Sequence, residues 1–187
     1  MAWIRRHALD LAAFGWGVAE ATLFFIVPDV LLSYVGLRRG VTAAARASLA
    51  AAIGAAIGGA LMFLWSVRDP GGAYAAVLAV PAISEAMADA AHAGIEAHGW
   101  FAATVMGPLS STPYKVYAVF APHAGAALPL FFLASILARL PRFLVVGAGV
   151  AFIARGLEPR LGRRAVLWLL AAAWLAFYAI FFAVVPS

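Results

Sequence analysis

Residues 20–29 read Glu20-Ala21-Thr22-Leu23-Phe24-Phe25-Ile26-Val27-Pro28-Asp29, an apolar run with a carboxylate at each end and a proline beside the second. This stretch cannot be plain helix. Pro28 has no amide hydrogen, and its ring disfavours helical backbone at Val27. Nor does it read as a surface loop, because it interrupts an apolar block over residues 8–37 that is long enough to enter a bilayer deeply. An ionisable side chain in such a setting is costly and faces a cavity or a partner. The fold therefore turns on whether the block crosses the membrane or turns back at the break.

Composition sets the solvent. Of the 187 residues, 66% are hydrophobic and 11% charged, and mean hydropathy is +0.98. A soluble domain carries roughly 25% charged and 45–50% apolar residues, so most of this chain must be dissolved in lipid. Arg5 and Arg6 ahead of apolar sequence resemble the start of a signal peptide, but Glu20 and Pro28–Asp29 follow instead of a small-residue cleavage site, and the segment is read as mature. The absence of cysteine excludes disulfides and thiolate chemistry. Net charge is +5, with most arginines beside apolar segments, where topology and lipid headgroups use them. No soluble basic domain exists to bind nucleic acid. No cofactor or metal is expected.

Four further apolar blocks follow, over residues 41–67, 100–128, 129–154 and 165–185, and the second of these five is rich in glycine at Gly54, Gly58 and Gly59. That face lets another helix approach closely. Arginines flank the first block on both sides (Arg5, Arg6; Arg38, Arg39, Arg46), and Arg155, Arg160, Arg163 and Arg164 separate the last two. The 69–98 segment is acidic instead, with Glu85, Asp89 and Glu96 joined by His92 in one helical stripe. The positive-inside bias then keeps both ends of the first block in the cytoplasm and both ends of the third outside. The expected fold is an all-α integral membrane domain over residues 1–187. It has three spanning helices (41–67, 129–154, 165–185), two oppositely inserted re-entrant hairpins (within 1–37 and 100–128) and an external amphipathic segment at 69–98. The N-terminus is expected in the cytoplasm and the C-terminus outside. Two broken segments entering from opposite faces also fit the inverted-repeat plan of transporters.

The candidate site residues are the charges inside these blocks. Glu20 is expected midway up the first arm, and Asp29 follows Pro28 at the first tip. Gly107–Pro108, Ser110–Ser111, Thr112, Pro113, Tyr114 and Lys115, the sole lysine, form the second break. Arg139 and Arg142 lie three apart around Pro141 and share one helix face. Glu20 and Asp29 could join in a two-carboxylate site. The cations could hold a lipid phosphate, neutralise the carboxylates as buried pairs, or snorkel to the interface.

Glu20, Val27-Pro28-Asp29 and Gly36, then Ser111-Thr112-Pro113-Tyr114-Lys115-Val116-Tyr117, Ala124-Gly125 and Arg139-Leu140-Pro141-Arg142-Phe143 resemble the DedA/VTT (SNARE-associated Golgi protein) family, nearest its short YqaA-like branch. The likeness runs from about Gly15 to Gly156. Two positions depart from the pattern: Ser111 replaces the earlier proline of the branch signature, and Lys115 follows Pro113 by two where the commoner branch has Pro-x-x-Arg. The resemblance implies paired re-entrant hairpins, residence in a bacterial cytoplasmic membrane, and movement of phospholipid or polyprenyl phosphate between leaflets by a flippase or scramblase. It assigns family roles to Glu20 or Asp29 and to Lys115. A proton on Glu20 is the candidate coupling ion. The expected partners are anionic lipid headgroups and a second copy in a homodimer. The alternatives are an integral membrane enzyme acting on lipid phosphate and a small ion or solute carrier.

Overall fold

The structure, a computed structural model, describes residues 2–107 and 112–184 and is helical throughout, with no strand among the described residues. The helices are α1 (Ala2–Ala21), α2 (Asp29–Arg39), α3 (Val41–Arg68), α4 (Pro70–Leu78), α5 (Glu85–Met106), α6 (Tyr114–Phe120), α7 (Leu128–Leu161) and α8 (Arg163–Val184), with a 3₁₀ turn at Ala121–Ala124. Three of them, α3, α7 and α8, are long and apolar enough to cross a membrane. They coincide with the three spans expected from the sequence; Val185, at the end of the last, lies outside the described residues. This is a membrane protein. With 34 residues, α7 is about 50 Å long and overruns a ~30 Å hydrocarbon core. Its last turns, with Arg155, Glu158 and Arg160, thus extend beyond the expected end at residue 154.

Glu20 departs from its expected position. It lies in the last turn of α1, because helix gives way at Thr22 and not at Val27. The Thr22 hydroxyl turns back onto the carbonyls of Val18 and Ala19, which ends the helix locally. Pro28 only sets where α2 restarts, one residue before Asp29. The seven residues between are non-helical. A second break separates α5 from α6; of its residues Gly107, Thr112 and Pro113 are described, whereas Pro108, Ser110 and Ser111 lie outside the described residues. Pro113, with φ −63° and ψ 139°, leads into α6.

Two helices, α4 and the start of α5, form the 69–98 segment. Asp69 caps α4 by accepting the Gly72 amide at 2.9 Å, and Ser84 caps α5 by accepting the Met87 amide at 3.4 Å. In α5, Ala88, Ala91 and Ile95 face inward while Glu85, Asp89, His92 and Glu96 are exposed, so the acidic stripe is a solvated face. The helix kinks at Gly99, where φ is 76°, and continues to Met106.

Packing gives the helices their directions. Asp10 reaches Arg46, Phe14 lies against Gly54 and Val18 against Gly58, so α1 runs parallel to α3. Asp29 meets Arg142 and Gly36 meets Gly147, so α2 runs parallel to α7. Ser48 bonds the Phe143 carbonyl and Phe63 packs on Phe131, so α3 and α7 are antiparallel. On the other side, Tyr114 meets Gly59 and Ser66 bonds the Val119 carbonyl, which makes α6 parallel to α3. His92 packs on Phe120 and Gly107 on Tyr117, so α5 opposes α6.

The glycines of α3 explain these close approaches. A Cβ on Gly54 would overlap the Phe14 carbonyl, and one on Gly17 the Ala51 carbonyl. The small-residue face therefore receives α1 within the same chain. Central and peripheral helices differ sharply, since 61% of the most apolar stretch of α3 is buried against 6% in α8.

Candidate functional site

The two breaks converge on Gly58 and Gly59 of α3. Added Cβ atoms there would meet Val18 and Ala21 of α1 on one side and the Tyr114 hydroxyl on the other. Beside this point lies a cavity of about 250 Å³ lined by Glu20, Lys115, Arg139 and Arg142, and by Thr112, Pro113 and Tyr114 of the second break. Four of the five charged candidates thus face one space. Asp29 and Pro28 do not line it; both are fully buried, Pro28 preceding α2 and Asp29 opening it.

The carboxylates do not form a joint site. Glu20 pairs with Arg139, and Asp29 accepts from Arg142 at 3.1 Å. The reason is directional: α1 packs on α3 and α2 on α7, and the carboxylates at the end of α1 and the start of α2 reach arginines three apart on α7, one each. Glu20 and Arg139 are buried, and the Arg139 guanidinium lies 5.4 Å from the Tyr114 ring centre and 4.9 Å from that of Phe143. Both rings add cation–π attraction in a dry setting. Tyr114 is fixed in turn by donating to Ser135, whose hydroxyl donates to the Phe131 carbonyl. Arg142 differs, with 39% of its side chain exposed.

Each pair is left incomplete. The Arg139 Nε and Asp29 Oδ1 atoms are buried with no hydrogen-bond partner among the described residues. Lys115 is 2% exposed and donates to the Phe24 carbonyl at 2.7 Å. An ammonium carries three donors, so this bond to the unwound chain leaves others for a ligand. Formally, three cations stand against two carboxylates in this cluster, which leaves one net positive charge.

Apolar side chains close the remaining walls. Phe25 comes from the first break, Val80, Pro81, Ala82 and Ile83 from the α4–α5 connection, Met87 from the first turn of α5, and Phe177, Tyr178 and Phe181 from α8. Ala82 has φ 64°, a left-handed conformation that costs an alanine about 1–2 kcal/mol. Its strain sits on the cavity rim.

The α4–α5 rim and Tyr178 were not legible as site residues. Residues 80–83 carry no charge and belong to a segment read as external. Tyr178 belongs to the least interrupted span, yet its hydroxyl accepts the Val27 amide at 3.0 Å. One signal was available: Trp174 and Tyr178 lie four apart on one face of an otherwise apolar helix, and Trp174 donates to Ser33 at 2.9 Å. Aromatic residues with polar tips are more usual at the ends of a span than within it. Among the described residues, no cluster of three or more His, Asp or Glu side chains is arranged to hold a metal. No family model, curated protein or solved structure matches the chain.

Proposed function

We propose that the protein is a membrane lipid transporter of the flippase or scramblase type, moving a phospholipid or polyprenyl phosphate between leaflets. The observation that carries this reading is the cavity itself. It brings Lys115, Arg139, Arg142 and Glu20 together with aromatic and aliphatic walls. Such a space suits a charged headgroup attached to apolar chains. At about 250 Å³ it is smaller than the roughly 300–1,000 Å³ pockets that engulf a drug-sized ligand. It therefore takes the headgroup and leaves the chains in the bilayer.

The two breaks are read as tips of re-entrant hairpins inserted from opposite faces. Support comes from helix direction: α1 and α2 lie along antiparallel partners, and α6 opposes α5. The likeness to the DedA/VTT family adds a separate reason. In this reading the N-terminus is cytoplasmic and the C-terminus external, in a bacterial cytoplasmic membrane. Because the chain has no cysteine, single cysteines report sidedness cleanly. His7→Cys and Arg39→Cys label from the same face if the first hairpin turns back, and labelling from opposite faces sinks that topology.

Function is tested in liposomes with a labelled phospholipid or polyprenyl phosphate. The wild type speeds leaflet exchange, and Glu20→Gln or Lys115→Ala slows it at least tenfold. Exchange that wild-type protein leaves unchanged under every pH gradient ends the proposal. A lipid-phosphate enzyme, the main alternative, finds less support, because none of the described residues lining the cavity is a histidine.

A further inference from the structure

Tyr178 does more at the cavity than close a wall. Its oxygen accepts the Val27 N–H at 3.0 Å, and among the described residues its own O–H has no acceptor. Tyr178 is half-buried and lines the cavity, so this O–H is a donor available to whatever enters that space. The groups it faces across the cavity do not answer it. Lys115, Arg139 and Arg142 are donors only, and the one carboxylate among the described residues lining the space, Glu20, gives its Oε2 to Arg139, so donors outnumber acceptors. The uncommitted polar groups of this space are thus mostly donors, and they converge from three helices: Lys115 from α6, Arg142 from α7 and Tyr178 from α8. What completes them is an acceptor with several lone pairs and negative charge. Accepting from Val27 also polarises the phenol and makes it a better donor.

We infer that Tyr178 is an anion-binding residue. Its hydroxyl donates to an oxygen of a phosphate-type oxyanion held by Lys115 and Arg142, while Phe177 and Phe181 beside it contact the first carbons of an attached chain. This rests on the headgroup reading of the cavity and adds α8 to the binding surface. A helix that is otherwise lipid-facing then contributes to specificity.

The competing role for Tyr178 is purely mechanical, since α8 is tied to the first broken helix both by Tyr178–Val27 and by Trp174–Ser33. Trp174 does not line the cavity, so Trp174→Phe loosens α8 and leaves the binding groups in place. Binding of decyl phosphate and of inorganic phosphate is measured by calorimetry on the full chain in neutral detergent. Tyr178→Phe is expected to weaken decyl phosphate at least tenfold, and Trp174→Phe less than twofold. Equal losses in the two variants, or a loss under twofold in Tyr178→Phe, overturn the inference. Wild-type protein that binds neither probe overturns the headgroup reading as well, so the two failures are distinct. Weakening of decyl phosphate where inorganic phosphate binds poorly supports Tyr178 and a lipid source. Tenfold weakening of both probes supports Tyr178 with free phosphate as the ligand.

Discussion

The Glu20–Arg139 pair gives the sharpest test of how the core is held. Both side chains are nearly inaccessible, at 7% and 5% of their surface, so removing one leaves the other charge largely buried without its partner. Breaking a buried pair by deleting one partner costs about 3–5 kcal/mol, whereas replacing both by apolar groups of similar volume is often close to neutral. Here the imbalance is sharpened, because Arg139 Nε already lacks a partner and the guanidinium is confined between Tyr114 and Phe143. Glu20→Met and Arg139→Met are each expected to cost about 3–5 kcal/mol, and the double variant to return within about 2 kcal/mol of wild type. The corresponding coupling energy is several kcal/mol, well above the 0.5 kcal/mol or so seen between independent sites. The assay is reversible unfolding in mixed micelles with increasing dodecyl sulfate, followed by circular dichroism. A double variant that loses the sum of the two single costs would show that the carboxylate and guanidinium do not act on each other, and the account of this core would fall.

Other expectations follow from particular contacts. Gly54→Leu forces a side chain into the Phe14 backbone and should cost at least about 1–3 kcal/mol by overpacking, while Gly15→Ala, with open space around it, should be neutral or stabilising by roughly 0.5–1 kcal/mol; the same unfolding titration compares them. Ala82→Gly relieves a left-handed alanine and is expected to raise stability by about 1 kcal/mol; a fall would mean that the rim conformation is not strained. Trp174→Phe combined with Ser33→Ala should give a coupling of only about 0.6 kcal/mol, the average for hydrogen bonds between membrane helices, and a coupling of several kcal/mol would show that α8 is fixed far more tightly than its contacts indicate.

Much of this arrangement could be read from the chain because charge inside an apolar block is rare. Glu20, Asp29, Lys115, Arg139 and Arg142 stand out as charges within apolar blocks, and all but Asp29 share a cavity. The three spans were legible from length and hydropathy. What the sequence left open was pairing. Either carboxylate could meet either arginine, and the choice depends on the side of α7 that α1 and α2 approach. The start of the first break was misread for a local reason, since Pro28 is the conspicuous helix breaker but the Thr22 hydroxyl ends the helix six residues earlier. Tyr178 stayed hidden because its partner is a backbone amide 151 positions away, and the Trp174–Tyr178 spacing marks a polar-tipped face without saying what it meets.

The unwound stretch between α1 and α2 is gripped from distant parts of the chain. Trp16 takes the Ile26 carbonyl, Lys115 the Phe24 carbonyl and Tyr178 the Val27 amide. These partners emerge during synthesis at very different times, the last after most of the protein is already in the bilayer. The turn nearest residue 25 must therefore wait, with backbone groups in need of partners, until α8 arrives. Final locking runs against the order of synthesis, so truncation ahead of α8 should damage an early segment as much as a late one.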